Sequence, residues 1–106
     1  MVSIETFRQI ALSFPESNEE PHFENTSFRV KKKIFATLSI KDSRACLKFT
    51  EIDQSVFCSF NKEIIYPVPN KWGKMGWTNV NLNLIEKEML TDAVSTSYAT
   101  VNTKKK

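Results

Sequence analysis

The sequence predicts an α+β domain in two layers, an antiparallel β-sheet with an N-terminal and a C-terminal helix packed on one face. Apolar residues recur at helical spacing near both ends of the chain. Between them lie short β-branched and aromatic segments, divided by polar, lysine-rich turns. The third observation is size: 106 residues, 41% of them hydrophobic and eight of them Phe, supply one modest core and no second. No internal repeat, low-complexity segment or interdomain linker breaks the pattern. Residues 1–103 therefore read as one domain and Lys104–Lys106 as a frayed basic tail.

Ser3 stands where a cap is needed, Glu5 suits the first turn of a helix, and Ile4, Phe7, Ile10, Ala11 and Phe14 share one face until Pro15 ends the helix. The stretch from Pro15 to Asn25 is acidic and holds two prolines, and it reads as a loop passing into the first strand. Phe28-Arg29-Val30 and Ile34–Ile40 flank Lys31-Lys32-Lys33 as a hairpin with a basic tip. Lys41–Arg44 is a second polar turn, and Ala45–Phe49 completes three consecutive antiparallel strands. Thr50 or Asp53 caps a short helix to about Phe60, with Ile52, Val56, Phe57 and Phe60 on its buried side. Ile64-Ile65-Tyr66 resumes extended structure, broken by Pro67 and Pro69, and Thr78–Leu82 alternates as a half-buried strand does. Asn83 and Glu86 have capping-box spacing before the last helix, which turns Leu90, Ala93, Val94, Ser97, Tyr98 and Val101 inward.

The densest information lies between Pro67 and Thr78, where both tryptophans, both glycines and two lysines meet. Gly73 and Gly76 permit backbone angles closed to other residues, and the indoles offer broad, rigid contact surface. The segment is either a structural corner locked by two indoles or a recognition surface. Charge is uneven as well. Residues 1–27 hold one Arg against five Glu, whereas residues 28–78 hold ten Lys or Arg against four acids, within a net charge of only +3. The middle of the chain carries the positive field.

Catalysis is not expected. His22 is the sole imidazole, no Gly-rich phosphate loop is present, and no nucleophile has an evident base. No cofactor is implied. Neither metal ligand spacing nor an EF-hand is present, although Glu16, Glu19, Glu20 and Glu24 cluster beyond the first helix. Cys46 and Cys58 lack CxxC spacing and read as buried free thiols of a reducing compartment. With neither a signal peptide nor a membrane span in the sequence, a cytoplasmic location is expected.

Particular residues, in order, resemble the MmcQ/YjbR family of small bacterial proteins. They are Ser13-Phe14-Pro15 at the end of the first helix, Pro21-His22-Phe23, Phe28-Arg29-Val30, Lys33-Ile34-Phe35-Ala36 and Cys46-Leu47-Lys48. Asn70-Lys71-Trp72-Gly73-Lys74, Trp77-Thr78 and Ser97-Tyr98 complete the series, which covers nearly the whole chain. The resemblance implies a fold of the frataxin-like or secretion-chaperone-like kind, with a double-wing arrangement from which DNA binding is inferred. The chain departs from the commoner pattern in one place, since Gly76 stands where a His would be, and no role of that His carries over.

The expected function is non-catalytic nucleic-acid binding. Arg29, Lys31, Lys32, Lys33, Lys41, Arg44, Lys71 and Lys74 are the expected phosphate contacts, Trp72 supplies shape or stacking, and Trp77 belongs to the core. DNA is the expected ligand, with RNA also compatible. The alternative is a protein partner or homodimer using Trp72 and Met75 as anchors, and exposure of those two side chains is its requirement.

Overall fold

The computed structural model describes residues 1–22 and 25–102. Phe23 and Glu24, and the basic tail expected at Lys104–Lys106, lie outside the described residues. Ser3 accepts a hydrogen bond from the Thr6 amide and opens helix α1 (Ile4–Leu12). Four strands follow as a meander: β1 (Ser17–His22), β2 (Asn25–Val30), β3 (Lys33–Ser39) and β4 (Arg44–Lys48). Then come α2 (Glu51–Cys58), capped by Thr50, β5 (Ile65–Pro67), the short α3 (Lys71–Lys74), β6 (Trp77–Asn81) and α4 (Lys87–Val101). The sheet runs β1-β2-β3-β4-β6-β5 with every neighbour antiparallel, so β6 inserts between β4 and the edge strand β5.

Alternation along the strands separates two faces. Phe28, Val30, Ala36, Leu38, Ala45, Leu47 and Val80 point into one buried cluster with Phe7 and Ile10 of α1, Phe57 of α2, and Leu90, Ala93 and Val94 of α4. Both terminal helices thus pack on one face, as expected, and α2 joins them by stacking Phe57 on Phe49. The opposite face carries no helix across its centre. One row there crosses all six strands: Glu20, Ser27, Thr37, Cys46, Asn79 and Tyr66 stand opposite one another in register.

Four expectations are corrected. The acidic stretch after Pro15 is not a loop but strand β1, and its core-side polar residue Glu19 is satisfied by Arg8 of α1, which donates to Oε1 at 2.9 and 3.1 Å, and by the Thr26 hydroxyl at 3.0 Å. On α2 only Phe57 and Cys58 are buried; Ile52, Val56 and Phe60 are 76%, 52% and 65% exposed. The helix lies across the sheet margin, so one aromatic reaches the core and the stripe at i, i+4 and i+8 faces solvent. Helix α4 begins at Lys87 with Glu86 at its N-cap and no side-chain cap, so the expected capping box does not form; Asn81 Oδ1 instead accepts from the Asn83 amide at 3.0 Å in the preceding turn. Finally, only Lys31 and Lys32 form the first turn, Lys33 already belonging to β3.

The β2–β3 ladder contains a bulge. Phe28 opposes Ala36 and Arg29 opposes Ile34, leaving Phe35 without a partner. Phe35 and Ala36 are consequently both buried, and the Phe35 ring meets Tyr98 of α4 edge-on. Its carbonyl accepts from the Ser97 hydroxyl at 2.6 Å, and the same hydroxyl oxygen accepts from the Lys48 amide at 2.9 Å. Ser97 therefore joins α4 to β3 and β4 at once.

Candidate functional site

The antiparallel register assigns each basic residue to an end of the sheet. The Lys31-Lys32 turn stands at the end where β2 finishes, and Lys48 pairs with Trp77 at the same end. The β5–β6 connection, with Lys71, Trp72 and Lys74 in α3, turns there too. Lys31, Lys32, Lys33, Lys48, Lys71 and Lys74 thus share one end. Glu51 and Asp53, in the first turn of α2, are the acids nearest in the chain to β4 at that end. Lys41 lies in the β3–β4 turn and Arg44 opens β4 at the opposite end, where Arg44 is paired with Asp42 at 3.3 Å. The expected set of phosphate contacts is therefore split: a ligand engaging Lys31 and Lys32 does not engage Lys41 and Arg44 through the same end. Arg29 lies on the open face beside Ile34, donating to the Ser27 hydroxyl at 3.2 Å and sitting 3.8 Å from Glu20.

Lys31 and Lys32 both adopt positive φ, 53° and 69°, the geometry of a two-residue type I′ hairpin turn usually filled by Asn-Gly. Two lysines hold it instead, at the cost of left-handed backbone for side chains with a Cβ. The turn projects two exposed lysine side chains from the paired β2–β3 hairpin.

The corner between β5 and β6 is built by glycine and amide contacts. Gly76 has φ 107°, and a Cβ there would overlap the Phe49 carbonyl; a Cβ on Gly73 would overlap the Val68 carbonyl. Only Gly76 needs a left-handed angle, so Gly73 is required for close approach rather than for φ. Gln54 of α2 donates to the Gly73 carbonyl at 2.8 Å and to the Thr78 hydroxyl at 3.1 Å, and Asn70 Oδ1 accepts from the Trp72 amide at 2.9 Å. The corner fixes α3 against the sheet end.

This placement makes a cavity of about 370 Å³ on the open face, lined by Ile34, Thr37, Cys46, Val68, Trp72 and Trp77. Trp77 is not in the core, contrary to expectation. It is half-buried on the open face, where Lys48 Nζ sits 5.9 Å from its ring centre and donates to the Met75 carbonyl. Lys48 is the one basic contact that residue order did not suggest; its alternation with Cys46 on β4 is the signal that places both on the open face. Trp72 and Met75 are 49% and 53% exposed.

Cys46 is half-buried in this cavity and Cys58 is buried in α2. Burial pushes the Cys46 thiol from 9.0 up to about 11, partly opposed by a backbone hydrogen bond from Thr78, the Arg44 charge and the Thr37 hydroxyl. It is a neutral thiol at physiological pH. Among the described residues, no three His, Cys, Asp or Glu side chains group as a metal site, and no helix is long and apolar enough to cross a membrane.

A family model described as YjbR matches residues 12–100. The fold is similar to the crystal structure of the Deinococcus radiodurans protein DR2400, described by the family-model domain DUF419, with a TM-score of 0.85 over 98% of this chain and 81% of that one at 24% identity. No curated protein matches.

Proposed function

This chain belongs to the YjbR family, and on that premise we propose that it is a non-catalytic nucleic-acid-binding protein of the cytoplasm, engaging its ligand at the lysine-bearing end of the sheet. The observation that carries this reading is the convergence of Lys31, Lys32, Lys33, Lys48, Lys71 and Lys74 with a half-exposed Trp72 at that one end. Lysines neutralise phosphates and release counterions, and a rigid hairpin tip can follow a backbone without reading sequence. Lys41 and Arg44 are left out of the contact. A catalytic role finds no support in the cavity: its thiol is held neutral, and the His22 backbone lies three strands across and two residues along from Cys46, more than about 14 Å by the usual strand spacing.

The test is fluorescence anisotropy with labelled duplex DNA, single-stranded DNA and RNA at low and physiological salt. Lys31→Ala with Lys32→Ala is expected to weaken binding and flatten the salt slope by about two units, one per lysine. Lys41→Ala is expected to change neither. Absence of binding at low salt, or equal loss in the Lys41 variant, overturns the proposal.

A protein-binding or homodimeric module is the second reading, favoured by the solvent-facing Ile52, Val56 and Phe60 stripe together with exposed Met75. A concentration-dependent mass in sedimentation, abolished by Val56→Lys, would support it.

A further inference from the structure

The cavity beside Trp72 does more than a phosphate-binding surface requires. It is lined by two indoles, Ile34 and Val68, and its few polar groups are the Thr37 hydroxyl, the Cys46 thiol and the indole N–H donors. It lies on the open sheet face, at the end where α3 packs, and its volume falls within the range of small-ligand pockets. Cations stand near it: Lys48 reaches over Trp77, and Lys71 and Lys74 flank Trp72 in α3. A largely apolar, aromatic-lined slot with cations near it fits a flat heteroaromatic ring that carries phosphate.

Resting on the proposed function, we infer that this cavity receives one unstacked nucleobase, with the phosphates of the same nucleotide held by Lys48, Lys71 and Lys74. Bases inside a duplex are stacked and paired and cannot enter, so the preferred ligand is single-stranded. The slot has too few polar groups to read a base edge. It therefore accepts any base, with purines favoured by their larger stacking area. The chemistry is shared by a base in a strand and by a free nucleotide.

The experiment titrates the full chain with a short single strand, the same strand in duplex, and AMP, following intrinsic tryptophan fluorescence and binding affinity. The single strand is expected to quench the fluorescence and to bind about tenfold tighter than the duplex, the effect of one stacked base. Thr37→Tyr and, separately, Cys46→Leu fill the cavity from the sheet floor without touching a lysine. Each is expected to erase the single-strand preference while leaving salt-dependent binding in place, with folding checked by thermal melting. AMP binding as tightly as the strand supports the slot and assigns its ligand as a free nucleotide. Equal affinity for duplex and single strand, or a preference that survives both variants, overturns the inference while leaving phosphate binding intact. Failure of every ligand to bind at low salt removes the underlying reading together with the inference.

Discussion

Ser97 shows how one side chain can hold two elements. It is fully buried, donates to Phe35 and accepts from Lys48, so Ser97→Ala leaves a buried carbonyl and a part-buried amide without this partner. A loss of about 1–3 kcal/mol is expected in urea unfolding, and Ser97→Thr should not repair it fully because the added methyl has no room beside the bulge. Cys46 makes a pH prediction. The unfolded thiol ionises near 9.0, whereas the folded one stays neutral until about 11. Stability is therefore unaffected by this group below pH 9 and falls between pH 9 and 11, by at most about 1.4 kcal/mol per pH unit. Cys46→Ala should flatten that window, measured as the difference between wild-type and variant denaturation midpoints. Residue identity announced Ser97 as inward-facing and Cys46 as a free thiol. It did not announce their partners, which lie 62 and 49 positions from Ser97 in the chain.

The two helices with long apolar stripes, α1 and α4, and the strands β2, β3, β4 and β6 were legible because each buries one clear face. Strand β1 was not, since Ser17-Asn18-Glu19-Glu20 has no apolar alternation and its pairing with β2 is a tertiary event. Helix α2 was legible as a helix but misleading in orientation: a periodic stripe specifies that one face differs, not which face is covered. Replacing Ile52 and Val56 with Gln should accordingly change stability by no more than about 0.5 kcal/mol, whereas Phe57→Ala, which removes the ring stacked on Phe49, should cost about 3–5 kcal/mol in the same chemical melt. The β2–β3 hairpin makes the opposite trade. Changing Lys31 and Lys32 to Asn and Gly places residues that tolerate left-handed backbone at both positions and should stabilise the fold by about 1 kcal/mol, while lowering nucleic-acid affinity through the lost charges. Higher stability with unchanged affinity would show that the turn is only structural.

Across the whole molecule, charge and sheet edges are arranged together. The basic residues divide between two ends because alternate turns of an antiparallel meander must do so, a rule that linear clustering of lysines conceals. This is why the Trp and Lys segment stood out in the sequence as a candidate site, while its union with Lys48 and its separation from Lys41 did not. The two edge strands are protected differently: β5 is three residues long and ends at Pro67, and β1 carries Pro21 beside Glu20. Replacing Glu20 and Pro21 with Val should expose a longer, uncharged edge and shift the chain toward larger species in sedimentation velocity. The bulge in β3 has a consequence for chain length. Removing one residue from the middle of a strand ordinarily inverts every side chain on one flank, and a sheet tolerates such deletions poorly. Here the deletion of Phe35 would bring Ile34 directly beside Ala36 in an unbroken ladder, with Arg29 still opposite Ile34 and Val30 still opposite Lys33. The hairpin can therefore shorten by one codon and lose a core aromatic while keeping the parity of its open face.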